Sequence, residues 1–171
     1  MVKGLSLFIL VLLLCTSCNP QSKLSHSGSV EPLKSDLVFS RSDVVTFSKK
    51  YLGKPYRYAS SNPKVGFDCS GFVYFVFKHF NINLPRDSRS YEAIVPSLKP
   101  KEFQIGDVLV FLSFKNHTRI GHVGIICEAN GMKSKFIHSS SGKVKGIIIS
   151  DLGSETYSRR FYKCVNVLNY K

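Results

Sequence analysis

Asp68-Cys69-Ser70-Gly71 runs straight into the apolar stretch Phe72 to Phe77, which sets a thiol at the first turn of a buried helix. Asp68 is a fitting N-cap. The unpaired N–H groups and the positive end of the helix dipole then favour a thiolate at Cys69, the form that attacks a carbonyl carbon. Taken alone, Cys69 is equally well explained as a small core residue, as many free cysteines are. A base nearby decides between the two.

Two histidines supply candidates. Gly121-His122-Val123-Gly124-Ile125-Ile126-Cys127 reads as a strand that begins at a histidine, and Lys135-Phe136-Ile137-His138-Ser139 as a strand that ends at one. Asn130-Gly131 between them is a turn signal, so the two strands make a hairpin centred near Asn130. A symmetric hairpin there sets His122 directly opposite His138, with Cβ atoms roughly 4.5–5.5 Å apart. His122 can then pair with the sulfur of Cys69, while His138 accepts from the far ring nitrogen and fixes the tautomer. That is the division of labour in a nucleophile, base and orienter triad. A lone histidine at a strand end is ordinarily half-exposed and idle; two in register beside a helix-start cysteine are not. A metal site would have only Cys69 as a third ligand and lacks CxxC or HExxH spacing, so neither a metal nor a cofactor is expected. A thiol redox role fails likewise, since Cys69 has no CxxC partner.

The elements that must position these groups follow from the pattern. A first helix is expected from about Ser42 to Leu52, with Val44, Phe47 and Tyr51 on one face and Gly53 as its stop. The cysteine helix continues to about Phe80 and is apolar nearly all round, hence central. Asn81 to Pro85 turns the chain, and Asp87 or Ser88 can cap a short helix carrying Tyr91. Strands follow over 107–114, 122–128, 135–139, 144–150 and 161–168, with a short link over 154–160. Hairpin-length gaps join most of them. The expected class is α+β, with N-terminal helices packed on a mostly antiparallel sheet of about five strands. Cys127 and Cys164 lie in apolar strands and read as free thiols.

The first residues carry an address. Met1-Val2-Lys3 and the apolar run Leu5 to Leu14 have signal-peptide character and are too short for a spanning helix of about 20 residues. Thr16-Ser17-Cys18 then resembles the processing site of bacterial lipoproteins, in which such a cysteine is lipidated and becomes the new N-terminus. Residues 1–18 are therefore expected to be a lipoprotein signal peptide ending at Cys18, 19–40 a flexible tether rich in Ser, Lys, Pro and Gly, and 41–171 one catalytic domain. The expected location is the bacterial cell envelope, lipid-anchored at the periplasmic face of a membrane, with the outer membrane favoured. Formal net charge is +13. Export removes nucleic acid as a partner, and attraction to anionic lipid or to carboxylate-rich wall polymer accounts for the surplus.

Several motifs occur together and in order: Leu52-Gly53-Lys54-Pro55-Tyr56, Asp68-Cys69-Ser70-Gly71-Phe72-Val73, Leu84-Pro85-Arg86, Gly106-Asp107, Gly121-His122-Val123-Gly124-Ile125 and Phe136-Ile137-His138. Over about residues 42 to 168 the chain resembles the NlpC/P60 superfamily of cell-wall cysteine peptidases. The resemblance implies a papain-like fold and hydrolysis of an amide in peptidoglycan stem peptides or their cross-links. Cys69 would be the nucleophile, His122 the base and His138 the orienting residue. Tyr56, Asp68, Ser70 and Arg86 would serve the oxyanion or the substrate, with Arg86 contacting a carboxylate. The chain departs from the family at Ala59-Ser60, where Gly-Gly is common, which bears on local loop shape. The rival activities are an N-acetylmuramoyl-L-alanine amidase and a non-catalytic wall-binding lipoprotein. The chain is expected to act as a monomer.

Overall fold

The computed structural model describes residues 39–168 and 170. The expected signal peptide over 1–18, the lipidation at Cys18 and the tether as far as residue 38 lie outside the described residues. Phe39 and Ser40, assigned to the tether from sequence, already belong to the fold. The Phe39 ring lies 4.6 Å from that of Phe80. Ser40 caps the first helix, α1 (Arg41–Lys49), in a reciprocal capping box with Asp43. Helix α1 buries Val44 and Val45.

A two-residue hairpin, β1 (Ser61–Asn62) and β2 (Gly66–Phe67), leads into α2 (Cys69–His79). A short 3-10 turn over Arg89–Ala93, the edge strand β3 (Ser97–Leu98) and a second 3-10 turn over Pro100–Glu102 follow. The chain then forms β4 (Val108–Leu112), β5 (Ile120–Glu128), β6 (Lys135–Ser140) and β7 (Gly146–Asp151). A single helical turn, α3 (Glu155–Ser158), precedes β8 (Phe161–Val165). The five strands expected from sequence are all present, and β3 extends them to a six-stranded antiparallel sheet in the order β3-β8-β4-β5-β6-β7. The architecture is the expected papain-like α+β class.

Strand β4 explains why the sheet is buried on two sides. Val108 and Val110 pack with Phe72, Val73, Val76 and Phe77 of α2, whereas Leu109 and Phe111 pack with Phe103, Phe136 and Leu152. A strand covered on both faces reads as a continuous apolar run, as Val108 to Leu112 does. The same alternation separates the two strand cysteines. Cys127 joins the α2 side and Cys164 the other, so the sheet lies between them and both are free thiols. Arg41 ties α1 to the start of β4 by an ion pair with the buried Asp107 carboxylate at 2.7 Å.

The hairpin register differs from the expected one. Ile125 pairs with Ile137 and Ile126 with Phe136, which places His138 across from Gly124 rather than from His122. The turn is the reason. It spans Asn130 to Ser134, closed by the Lys133 N–H on the Asn130 carbonyl and the Ser134 N–H on the Gly131 carbonyl, with Gly131 at φ +53°; a register irregularity between Ile126 and Glu128 adds to the offset. The slip is two residues. An even slip keeps the side-chain face, so His122 and His138 remain diagonal neighbours on one face.

Candidate active site

The nucleophile position is built from the helix start outward. The Asp68 carboxylate accepts from the Gly71 N–H at 2.6 Å, as an N-cap should, and receives both terminal nitrogens of Arg86 at 2.9 and 2.8 Å. Ser70 adds its hydroxyl to the same carboxylate at 3.3 Å. Asp68, Ser70 and Arg86, three residues singled out in the sequence, are thus bound to one another, and Arg86 spends its fork on Asp68. Gly71 has no room for a side chain, because a Cβ there would run into the Ser60 carbonyl. That carbonyl also takes the Asp68 N–H at 2.9 Å. The loop delivering it passes through Ala59 at φ +55°, a left-handed conformation that favours glycine.

Cys69 faces the start of β5, its Sγ 4.0 Å from the Gly121 carbonyl. Burial pushes the thiol up to about 11, and the Asp68 charge adds to the rise. The N–H groups of Val123, Ser70 and Cys69 itself favour the anion but do not outweigh burial. Burial thus opposes the charged form that the helix start favours.

The two histidines are joined directly. His122 Nε2 and His138 Nδ1 lie 2.9 Å apart, with the rings perpendicular. His138 Nε2 faces Ser150 Oγ at 3.0 Å and the Tyr157 hydroxyl at 3.2 Å. The Phe136 ring stacks on His138 with centroids 4.7 Å apart. When His122 Nε2–H donates to His138, the other nitrogen of His122, Nδ1, is left as an acceptor. Burial holds both rings neutral: His122 falls well below the ordinary histidine range, helped by His138 and Arg160, and His138 falls to about 3.

Tyr56 is half-buried, and its hydroxyl makes no hydrogen bond among the described residues. Burial raises its pKa, followed by the charges of Cys69 and Asp68, which sets the phenol in the neighbourhood of the thiol. Ser150, Tyr157 and Arg160 were not singled out from sequence. Ser150 is the end of a strand and the other two lie in a link that reads as a connector, so no local pattern marks them. A cavity of about 520 Å³ opens beside the site, lined by His122, Lys115, Ser140, Tyr157 and Arg160 among others.

The family model for the NlpC/P60 family matches residues 53–166. The chain belongs to the NlpC/P60 family. The matched region contains Tyr56, Cys69, His122 and His138, and so every member of the site just described. Among NlpC/P60 relatives, the chain is 39% identical over 98 residues to a gamma-DL-glutamyl hydrolase of Bacillus subtilis, covering 57% of this chain and 22% of that protein. It is 37% identical over 114 residues to the murein DD-endopeptidase MepH of Escherichia coli, covering 65% of this chain and 40% of that one. The chain thus spans well under half the length of these two relatives. A solved Staphylococcus aureus structure described as similar to a lipoprotein of this family superposes with a TM-score of 0.65 at 28% identity, covering 77% of this chain and 43% of that one.

Proposed function

We propose that this chain is an exported cysteine endopeptidase that hydrolyses an amide in peptidoglycan stem peptides or their cross-links. The observation that carries the reading is the hydrogen-bonded run His122, His138, Ser150 and Tyr157, together with a Cys69 sulfur 4.0 Å from the carbonyl of Gly121, the residue that precedes His122. The two relatives named above are a glutamyl hydrolase and a murein endopeptidase, which supports a peptide substrate of the wall over a glycan.

Burial favours the neutral thiol and the neutral imidazoles, and in this reading proton transfer accompanies attack. His122 Nδ1 takes the thiol proton as Sγ bonds to the carbonyl carbon. His122 then returns the proton to the leaving amine as the C–N bond breaks, which leaves a thioester on Cys69. Water, deprotonated by the same nitrogen, cleaves the thioester. His138 holds the ring of His122 in the productive tautomer, and its own Nε2–H is anchored on Ser150 and Tyr157. Tyr56 offers a phenol hydroxyl to the oxyanion. Asp68, Ser70 and Arg86 fix the helix start and shape the substrate side of the thiol.

The same reading includes a lipid anchor at Cys18, preceded by a cleaved leader over 1–18. Several acyl tails, each methylene adding about 0.8 kcal/mol, hold such a protein at a membrane. Cys18→Ala abolishes incorporation of labelled fatty acid if the anchor is there; equal labelling of both chains refutes it.

The deciding experiment digests purified sacculi with wild type and with Cys69→Ser, followed by mass spectrometry of the released muropeptides. Wild type is expected to release fragments cut within the peptide stems, and the variant none, because serine does not form the nucleophilic anion readily. Fragments cut between glycan and stem would assign an amidase instead. Release of nothing by wild type would leave a wall-binding role.

A further inference from the structure

The cavity beside His122 holds a guanidinium whose two terminal nitrogens have no partner among the described residues. Arg160 is 8% exposed, and an arginine this buried is ordinarily paired. Its Nε–H donates to the Leu112 carbonyl at 2.8 Å, and its own carbonyl accepts from the Leu112 N–H at 2.8 Å. The head group is further held 5.7 Å from the Phe114 ring and 6.0 Å from the Tyr157 ring. Its position is therefore fixed from several sides before any ligand arrives.

Its two terminal nitrogens make no hydrogen bond and no ion pair among the described residues. They are not sealed away either, since the Tyr91 hydroxyl is the one fully buried side-chain polar atom lacking a partner among those residues. The acid of the adjacent helix, Glu155, is taken by the neighbouring Arg159 at 2.7 Å. The cavity that Arg160 lines also receives Lys115 and the hydroxyl-bearing residues Ser113, Ser140, Ser141, Thr156 and Tyr157, and no Asp or Glu. It is a preformed cationic recess of about 520 Å³, a size that holds an amino-acid residue. A guanidinium presenting two free N–H pairs in a plane matches a carboxylate.

Position says which half of a substrate would enter. His122 lines this cavity, whereas Tyr56 and Asp68 do not. In the proposed reaction His122 delivers a proton to the leaving nitrogen, so the groups attached to that nitrogen are the ones next to the recess. Resting on the peptidase reading, we propose that Arg160 is a substrate-binding residue that holds a carboxylate on the half of the stem peptide released as the amine.

The test separates this proposal from the reaction itself. The probe is L-Ala-γ-D-Glu-diaminopimelate, with its diaminopimelate carboxylates either free or converted to carboxamides. Binding of both forms to the full chain carrying Cys69→Ala is measured by calorimetry, so that no turnover intervenes. The free acid is expected to bind about tenfold or more tightly than the carboxamide, as charge-assisted hydrogen bonds to a fixed guanidinium imply. Adding Arg160→Gln should erase the preference. Equal binding of the two probes in the Arg160 chain overturns the proposal without needing a variant that folds, and so does a preference that survives Arg160→Gln. Turnover of the same peptides by the wild-type chain is read in parallel. A carboxylate preference without turnover upholds the Arg160 site and excludes cleavage of the γ-D-Glu-diaminopimelate bond.

Discussion

Gly124 makes room for His138. A Cβ built on Gly124 would stand 3.0 Å from the His138 Cβ and 2.6 Å from Cδ2 of Phe136, whose ring stacks on His138. The glycine across the ladder thus leaves the space in which the buried His138 meets His122 at 2.9 Å. Gly124→Ala should destabilise the fold by about 1–3 kcal/mol, the usual cost of overpacking. Because the clash falls on Phe136, whose ring stacks on His138, and on His138 itself, activity on sacculi should fall further than the lost stability explains at a temperature where the variant is folded. Denaturant titration together with muropeptide release checks both, and wild-type release by a folded variant would contradict the spacing argument.

Deleting the base and deleting its support should differ in kind. His122→Ala removes the group that moves the proton and should leave no measurable hydrolysis. His138→Ala misorients that group, and should retain a small but measurable activity. Initial rates on a defined muropeptide measure the two. Equal losses, or the reverse order, would sink the assignment of roles.

Acid should destabilise the protein through His138. In the unfolded chain this residue titrates at about 6.5, whereas in the fold burial lowers it to about 3. Between those values the unfolded state binds a proton that the native state does not, so stability falls as pH drops through the window. The slope from this one group approaches about 1.4 kcal/mol per pH unit. Denaturant unfolding of wild type and His138→Gln at pH 7 and pH 4.5 isolates it. The wild type should lose more stability than the variant over that interval, and parallel losses would show that His138 is not the group responsible.

Ala59 sits at φ +55°, where a Cβ is unfavourable and glycine is not. Ala59→Gly should therefore stabilise the protein, by about 0.5–1 kcal/mol once the greater entropy of glycine in the unfolded chain is set against the relieved strain. A rise in the denaturation midpoint at unchanged slope is the expected result; a fall would mean that the Ala59 methyl makes contacts worth more than its strain.

The sequence by itself determined the parts whose signals are local. The N-cap at Asp68, the thiol one residue on and the apolar helix behind it all follow from neighbours within a turn. The strand cores follow from apolar runs, and the pairing of the two histidines on one face survives even the wrong hairpin register, because side-chain direction repeats every two residues and the slip was two. The tertiary structure decided what depends on distance and on burial. Asp68 meets Arg86 across a turn of the chain, so the arginine supports the helix start with both terminal nitrogens. Burial pushes the Cys69 thiol up against the pull of the helix end, a balance that no spacing along the chain encodes. Ser150, Tyr157 and Arg160 reach the site from a strand end and a short connector, brought there by the return of β7 and β8 to the sheet. Their chemistry exists only once the sheet has formed, since what makes each of them matter is the neighbour it is given.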